Sequence, residues 1–246
     1  GVHEARLVAV LARENAEIPD LILDSSIFYP EGGGQPCDLG SLGGIPLAWV
    51  GEEGGQVIHR LSAALPPGIG PGARLSLVLD QGRRLDHSEQ HSGQHLLSST
   101  CLRVLGAPTR SFHLGPESST IDIDCPLPGP EVVREVEGIV NQYIAYNYSI
   151  RTHLCPPEDI TSFPLRRLPP AGEEVLRVVE IDGLDFTPCC GTHLASTGAL
   201  RLLVLTGSEK YKGLTRLSFL AGGRAVALAL ESTLAARDAG RVLGAG

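Results

Sequence analysis

Long apolar runs are missing from this sequence. The longest of them, such as Ala225 to Leu230, fall far short of the roughly 20 residues that a membrane-spanning helix needs. The N-terminus also lacks the charged and then apolar pattern of a secretory signal. With 246 residues, of which 42% are hydrophobic, the chain can still bury a core. We therefore expect a soluble, globular, cytoplasmic protein.

Methionine is absent and cysteine is sparse. The chain begins with glycine, which fits a trimmed fragment, a processed chain or an unusual natural composition. Its six cysteines follow no dense, regular spacing, and Cys189 and Cys190 are adjacent, which is awkward for ordinary pairing. These features argue against the disulfide framework of a small secreted protein and favour reduced thiols. The sequence also has no internal repeat and no low-complexity tract.

Basic residues are in the minority. The formal net charge of −8 argues against nucleic-acid binding, because affinity for a phosphate backbone depends largely on Lys and Arg. The stretch from Leu200 to Arg224 is an exception, since Glu209 is its single acidic residue. Its basic residues are Arg201, Lys210, Lys212, Arg216 and Arg224. This stretch predicts either a phosphate-facing surface or a solvated basic face without a ligand.

The N-terminal third of the chain has the pattern of a small β-barrel or sandwich. Short apolar runs alternate with Gly- and Pro-rich breaks over residues 4–79. The character changes near Asp80, and a helix is predicted over residues 87–105. Asp86 and Glu89 resemble a capping box at its start, and Gly106 suits its end.

The rest of the sequence predicts an α+β fold. A second helix begins at Pro130, where apolar residues follow the i, i+3, i+4, i+7 pattern. We expect helices packed on one side of a mainly antiparallel sheet, followed by a C-terminal helix that begins near Arg224. Strands are predicted at residues 119–124, 148–153, 175–181, 200–206 and 214–220. The predicted domains are residues 1–82 (barrel), 83–224 (α+β domain) and 225–246 (start of the C-terminal helix).

Three histidines recur at every fourth position of the first predicted helix, at His87, His91 and His95. This spacing puts neighbouring imidazoles one turn apart, as two ligands of one metal ion require, although surface or core histidine pairs share it. We favour His91 and His95, because His87 falls at the predicted helix start whereas His95 leads into two leucines. Gly93 costs roughly 1 kcal/mol relative to Ala, which indicates either a ligand near the backbone or close helix packing.

A second candidate for metal binding is the segment Cys189-Cys-Gly-Thr-His193, where Pro188 and Gly191 imply a tight turn. Together with His91 and His95 it offers three imidazoles and one thiolate, a set that suits Zn²⁺. Cys190 is then a spare thiol, for which a buried structural position is the plain expectation.

Two other zinc chemistries lack their motifs. The helix reads His-Ser-Gly-Gln-His and has no Glu beside its first His, which disfavours a metalloprotease. No Pro-Cys-x-x-Cys follows a His-x-Glu, which disfavours a nucleobase deaminase. A zinc ester hydrolase and a purely structural zinc site both remain open.

A loop rich in glycine follows the apolar run that ends near Phe28. Its glycines Gly32, Gly33 and Gly34 allow backbone N–H groups to approach a ligand, and Gln35 can both donate and accept a hydrogen bond. An ordinary flexible turn has the same composition.

These segments in this order resemble one family. Phe-Tyr-Pro-Glu-Gly-Gly-Gly-Gln at 28–35, His-Ser-Gly-Gln-His-Leu-Leu at 91–97 and Cys-Cys-Gly-Thr-His at 189–193 are similar to the editing domain of alanyl-tRNA synthetase and its free-standing, AlaX-type relatives. The segment Ser111-Phe-His-Leu-Gly115 supports the resemblance, which spans roughly residues 25–222. Cys37 and Cys190 depart from the family pattern.

The resemblance implies a β-barrel beside an α+β editing domain and one Zn²⁺ per chain, held by His91, His95, Cys189 and His193. It also implies that Gln35 and the neighbouring glycines lie near the aminoacyl end of the substrate. That substrate would be tRNA for alanine wrongly charged with serine or, less favourably, glycine. No synthetase activation domain fits into 246 residues, so action in trans is expected.

The hypothesis for the reaction is zinc-dependent ester hydrolysis by a zinc-bound or zinc-positioned water, with no side-chain nucleophile. Gln94 and Thr192 lie beside ligands and are candidates to contact the serine hydroxyl. Lys210, Lys212 and Arg216 are candidate contacts to tRNA phosphates. The alternative is a non-catalytic, zinc-stabilised RNA-binding or interaction module, and the oligomeric state stays open.

Overall fold

The computed structural model of the protein describes residues 2–13, 18–169, 172 and 175–244. The chain divides into two compact units, Gly1–His87 and Ser88–Gly246. The α+β class and the N-terminal barrel are confirmed, whereas the domain limits at 82/83 and 224/225 stay a prediction.

The first unit is a closed antiparallel barrel of six strands in the order β1-β2-β5-β4-β3-β6. Its strands are β1 (Val2–Leu11), β2 (Asp20–Leu23), β3 (Gly40–Leu42), β4 (Ile45–Glu53), β5 (Gln56–Leu61) and β6 (Arg74–Leu79). The sequence pattern did not predict β3, which is only three residues long. Gly40 begins it with φ of +151°, and a Cβ there would lie 2.0 Å from the carbonyl oxygen of Val78. The alternating apolar residues of the strands fill the barrel interior, including Leu7, Leu21, Leu42, Val50 and Leu77.

The first helix, α1 (Gln81–Leu105), starts earlier than the predicted residue 87. The carboxylate of Asp80 accepts a hydrogen bond from the backbone N–H of Arg83 at 3.0 Å, as an N-cap residue does. The predicted capping box at Asp86 is therefore wrong, because that residue lies inside the helix. The predicted end is confirmed: Gly106 has φ of +61°, and its N–H donates to Leu102 O at 3.0 Å.

The second unit contains two antiparallel sheets, in the strand orders β11-β10-β9 and β12-β13-β8-β7. The strands are β7 (Thr109–Leu114), β8 (Ser119–Ile123), β9 (Ile150–Cys155), β10 (Leu176–Ile181), β11 (Asp185–Pro188), β12 (Leu203–Tyr211) and β13 (Leu214–Ala221). Strands β7 and β11 were not among the predicted ones; β11 has only four residues, and β7 begins with the polar run Thr109-Arg-Ser111.

The described part of this unit also contains α2 (Pro130–Tyr146), α3 (Gly223–Val242) and two short 3-10 helices, Pro157–Ser162 and Thr197–Leu200. As predicted, α2 begins at Pro130 and buries one apolar stripe, formed by Val136, Val140 and Ile144. These residues join the core of the unit with Leu96, Ile121, Leu203, Leu217 and Phe219. No helix within the described residues is long and apolar enough to cross a membrane.

Candidate metal centre and its pocket

Four side chains of the second unit converge on one point. His91 and His95 come from consecutive turns of α1, whereas Cys189 and His193 come from the loop that follows β11. One potential ligand atom from each lies within 4.8 Å of the others. Cys189 Sγ is 3.4 Å from His91 Nε2, although the two residues are 98 positions apart in sequence, and 3.3 Å from His193 Nε2. The structure thus brings together the four residues that the spacing singled out.

His87 is not part of this group. The argument that excluded it, its position at the predicted helix start, is wrong, because α1 begins at Gln81; His87 lies within the helix and is buried. Cys190, expected to be buried, is exposed, while Cys189 is turned inward. The side chains of these adjacent cysteines therefore lie in different surroundings.

Burial and mutual contacts set the charges of the four groups. Burial alone would raise the pKa of the Cys189 thiol, but hydrogen bonds with His193 and His91 hold it well below its usual value. Burial, together with repulsion from His91, lowers the pKa of His193 to about 3. Burial likewise lowers the pKa of His91. Burial alone would also lower the pKa of His95, but hydrogen bonds with Asp185 and Cys189 raise it above its usual value. Metal binding requires a thiolate and neutral imidazoles, and the pKa shifts of Cys189, His91 and His193 favour that state.

The four side chains fit a divalent metal ion. In a tetrahedral site with Zn–N of 2.0–2.1 Å and Zn–S of 2.3 Å, ligand nitrogen and sulfur atoms lie about 3.5 Å apart. The sulfur–nitrogen distances of 3.3 and 3.4 Å come close to that separation. Nitrogen and thiolate donors together suit transition metals rather than Mg²⁺ or Ca²⁺.

A line of polar side chains on α1 ties this helix to the metal-binding loop and to the residue just before β11. Ser88 Oγ donates to Thr192 Oγ1 at 2.9 Å, and Ser99 Oγ donates to the carbonyl of Leu184 at 2.6 Å. Between them, Ser92 Oγ accepts from the N–H of Leu194 at 3.0 Å and lies 3.3 Å from His193 Nδ1. These contacts explain how the three serines can be buried, since each of them has a hydrogen-bonding partner.

A small cavity opens beside His95. Its volume is about 30 Å³, which is room for one or two water-sized groups. Gln94 forms part of its wall, and Gln94 Nε2 donates to Ser98 Oγ at 2.8 Å. Thr109 Oγ1 donates to the same Ser98 oxygen at 2.8 Å. The lining residues are Gln94, His95, Thr109, Arg110, Ser111, Phe112, Arg166, Arg167 and Thr187.

The sequence did not indicate Thr109, Arg166 or Thr187 as site residues. For Thr187, the sequence did contain one indication. Side chains alternate along a strand, so Asp185 and Thr187 lie on the same side of β11 as a residue at the position of Cys189. Polar residues two and four positions before a candidate ligand are thus worth testing as its neighbours.

The glycine-rich loop belongs to the first unit and forms a tight turn. Gly32 and Gln35 exchange backbone hydrogen bonds of 3.2 and 3.0 Å, while Gly33 and Gly34 have φ of +56° and +83°. A Cβ on Gly33 would meet nothing within 4 Å, so glycine serves the backbone conformation there. The side chain of Gln35 is buried. The expected contact of this loop with substrate stays a prediction.

The predicted phosphate contacts lie at the β12–β13 hairpin. Lys210 and Lys212 are exposed. Arg216 is engaged within the protein: its guanidinium donates to both oxygens of Asp122, at 2.7 and 2.9 Å, and lies 3.4 Å from the ring centre of Tyr211. Lys212 Nζ also lies over the ring of Tyr211, at 5.0 Å from its centre, so Lys210 is the least restrained of these three cations.

A comparison with known protein families first shows which class of domain a part of this chain resembles. The family described as "Threonyl and Alanyl tRNA synthetase second additional domain" matches residues 176–218, which include Cys189 and His193 and extend from β10 into β13.

Individual relatives extend the similarity over most of the chain. The alanyl-tRNA editing protein Aarsd1 of Danio rerio is 35% identical over 213 residues, which cover 85% of this chain and 51% of that protein. The alanyl-tRNA editing protein AlaX-L of Pyrococcus horikoshii is 31% identical over 232 residues, which cover 91% of this chain and 56% of that protein. The resemblance predicted from the motifs is confirmed. This chain spans about half the length of these editing proteins.

Proposed function

We propose that this chain is a zinc-dependent aminoacyl-tRNA deacylase that acts in trans in the cytoplasm. Its substrate would be tRNA for alanine charged with serine and, to a lesser extent, with glycine. The observation that carries this proposal is the adjacency of two features: a group of three imidazoles and one thiolate, and a small polar cavity beside His95. Relatives named as alanyl-tRNA editing proteins support the same reaction.

Zinc is the metal that this donor set favours, since three imidazole nitrogens and one thiolate suit its ligand preferences. When bound, Zn²⁺ supplies a Lewis acid and water activator next to the ester. The residues of the chain have the remaining tasks of binding the aminoacyl group, orienting it and rejecting the correct amino acid.

The cavity beside His95 provides a physical basis for selecting serine over alanine. The hydrogen bond from Gln94 Nε2 to Ser98 fixes the orientation of the Gln94 amide. The carbonyl oxygen of this amide would then accept a hydrogen bond from a ligand. A serine hydroxyl can make such a bond, whereas an alanine methyl would leave the polar wall unpaired. Glycine has no side chain, so water would remain in the cavity and pair with its polar wall, whereas the methyl of alanine would displace that water. Glycine therefore ranks between serine and alanine.

The test is hydrolysis of tRNA for alanine charged with serine, glycine or alanine, at a defined salt concentration. We expect rapid release of serine, slower release of glycine and no release of alanine above the buffer rate. A Cys189→Ala variant, shown by circular dichroism to be folded, should be inactive. Cys190→Ala is the matched control, because it removes the adjacent exposed thiol, and it should keep the activity.

Absence of hydrolysis by the metal-loaded protein would contradict the deacylase proposal. The alternative, a zinc-stabilised RNA-binding module, would then be preferred, because four protein ligands are also the arrangement of closed structural zinc sites. Binding of seryl-tRNA without hydrolysis would support that alternative.

A further inference from the structure

Asp185 is a buried carboxylate that contacts a predicted metal ligand from outside the ligand group. Its side chain is 1% exposed. Asp185 Oδ2 lies 3.2 Å from Nδ1 of His95, whose side chain is 2% exposed. This contact joins the first residue of β11 to the middle of α1. A carboxylate at this distance from Nδ1 can fix both the orientation and the tautomer of the imidazole.

Two further residues hold Asp185 in place. Arg166 donates to Oδ1 at 2.7 Å and to Oδ2 at 3.3 Å. Thr187 Oγ1 donates to Oδ2 at 2.9 Å. The carboxylate therefore accepts hydrogen bonds at both oxygens, and it cannot turn away from His95 without breaking several of them. Arg166 and Thr187 also line the cavity beside His95, so the residues that hold Asp185 form part of the cavity wall.

The tautomer of His95 follows from this contact. An ionised carboxylate is an acceptor only, so the nitrogen that faces it, Nδ1, must carry a proton. In a neutral imidazole the other nitrogen, Nε2, then has the free lone pair that a metal ion needs. His91 and His193 also present Nε2 to Cys189, so all three imidazoles would bind through the same atom.

We propose that Asp185 is a positioning residue that holds His95 as an Nε2 ligand of the metal ion, and that Arg166 and Thr187 hold Asp185 in the required orientation. The inference rests on the proposed metal site and names a residue outside its four ligands. The role of Asp185 is to increase the affinity for the metal ion and to fix the geometry of the metal site.

The test is an Asp185→Asn variant, assayed by metal binding rather than by hydrolysis. An asparagine has one acceptor oxygen, so its NH₂ group must face either Arg166 or His95. If the NH₂ group faces Arg166, two donors oppose each other and that hydrogen bond is lost. If it faces His95, it favours the His95 tautomer that carries the proton on Nε2, the atom that the metal ion needs. We expect Zn²⁺ affinity, measured by competition with a chelator, to fall about 10- to 100-fold. The visible spectrum of the Co²⁺-loaded variant should also change, because the ligand geometry around Co²⁺ changes.

The matched control is Asp20→Asn in the barrel, where a fully buried carboxylate accepts hydrogen bonds of 2.9 and 3.2 Å from Arg60. This variant undergoes the same chemical change and should keep the Zn²⁺ affinity and the Co²⁺ spectrum of the unaltered protein. An equal loss of affinity in both variants would attribute the effect to general destabilisation and would overturn the proposal.

A purely structural role for Asp185 predicts a different result. Asp185→Asn would then lower the unfolding temperature of the metal-free protein but leave Zn²⁺ affinity and the Co²⁺ spectrum unchanged, and this outcome overturns the proposal. If Asp185→Asn does not fold, Thr187→Val replaces it: we expect a roughly two- to tenfold loss of affinity, and an unchanged affinity overturns the proposal. If the unaltered protein binds neither ion, the metal site itself fails, which is distinguishable from the failure of Asp185 alone.

Discussion

Gly93 of α1 packs against Ala221 of β13 so closely that a Cβ atom on the glycine would lie 2.7 Å from the Cβ of Ala221. The same atom would lie 3.4 Å from Cδ1 of Leu203. The sequence left two explanations for this glycine, and the contact with β13 favours close packing over a ligand at the backbone. Because Gly93 lies between His91 and His95, this packing also sets how near the sheet the two ligands lie.

Gly93→Ala should therefore destabilise the protein. Overpacking costs about 1–3 kcal/mol, whereas the better helix propensity of alanine returns at most about 1 kcal/mol. We expect a net loss of about 1 kcal/mol in the free energy of unfolding, measured by urea denaturation.

Gly138→Ala in α2 is the control, since a Cβ there meets nothing within 4 Å and should instead stabilise by about 0.5–1 kcal/mol. A second check is Ala221→Gly, which should restore part of the stability in the Gly93→Ala background. Equal stabilisation by both Gly→Ala changes would contradict the packing argument.

The ligand group was predictable from the sequence because short-range spacing encodes it. His91 and His95 are one helical turn apart, and Cys189 and His193 flank a turn marked by proline and glycine. Each of these two pairs already has the spacing of metal ligands. A single long-range contact, between α1 and the loop after β11, then completes the group of four.

The partners of α1 could not be predicted in the same way. Ser88, Ser92 and Ser99 resemble an exposed polar face in sequence, and they are buried only because the segment before and after Cys189 supplies hydrogen-bonding groups. Asp185 is equally inconspicuous in the sequence, since its proposed role depends on a contact with His95, a residue 90 positions away. Tertiary contacts of this kind leave no periodic signal.

His59 should make the stability of the barrel depend on pH. Its side chain is buried, Nδ1 lies 3.3 Å from the carbonyl of Leu21, and Nε2 lies 2.8 Å from the hydroxyl of Ser26. Burial lowers the pKa of His59 below its usual value of 6.5. The folded state thus binds fewer protons than the unfolded state between the lowered pKa and about 6.5, so stability is lost as the pH falls through that window.

We expect His59→Gln to reduce the difference in unfolding free energy between pH 7.5 and pH 5, because the titrating group is gone. Urea denaturation at both pH values measures it, and Gln56→Ala, an exposed change of a non-titrating residue at the start of β5, controls for a general response to mutation. The same pH dependence in His59→Gln and in the unaltered protein would contradict this account.

Removal of the metal should leave the second unit folded. Ser88 and Ser92 connect α1 to the metal-binding loop through hydrogen bonds of 2.9 and 3.0 Å, and Ser99 connects it to Leu184, just before β11, through a hydrogen bond of 2.6 Å. After dialysis against a chelator, we expect the far-ultraviolet circular dichroism to persist, with a lower unfolding temperature because a ligand of the folded state has been lost. Loss of the secondary structure at 25 °C would instead indicate a metal that is required for folding, as in zinc-stabilised modules.

The β12–β13 hairpin separates two roles that basic residues can have. Lys210 is exposed, so Lys210→Ala should leave the fold intact and reduce the slope of log K against log salt for tRNA binding by about 1.

Arg216→Ala should instead cost about 1.5–3 kcal/mol of stability, because it leaves the buried carboxylate of Asp122 without its two guanidinium hydrogen bonds. Binding titrations between 50 and 200 mM salt and urea denaturation of both variants measure the two effects. A guanidinium occupied by Asp122 and Tyr211 has little freedom to bind a phosphate as well. A reduced salt slope in Arg216→Ala at unchanged stability would contradict this account and assign the phosphate contact to Arg216.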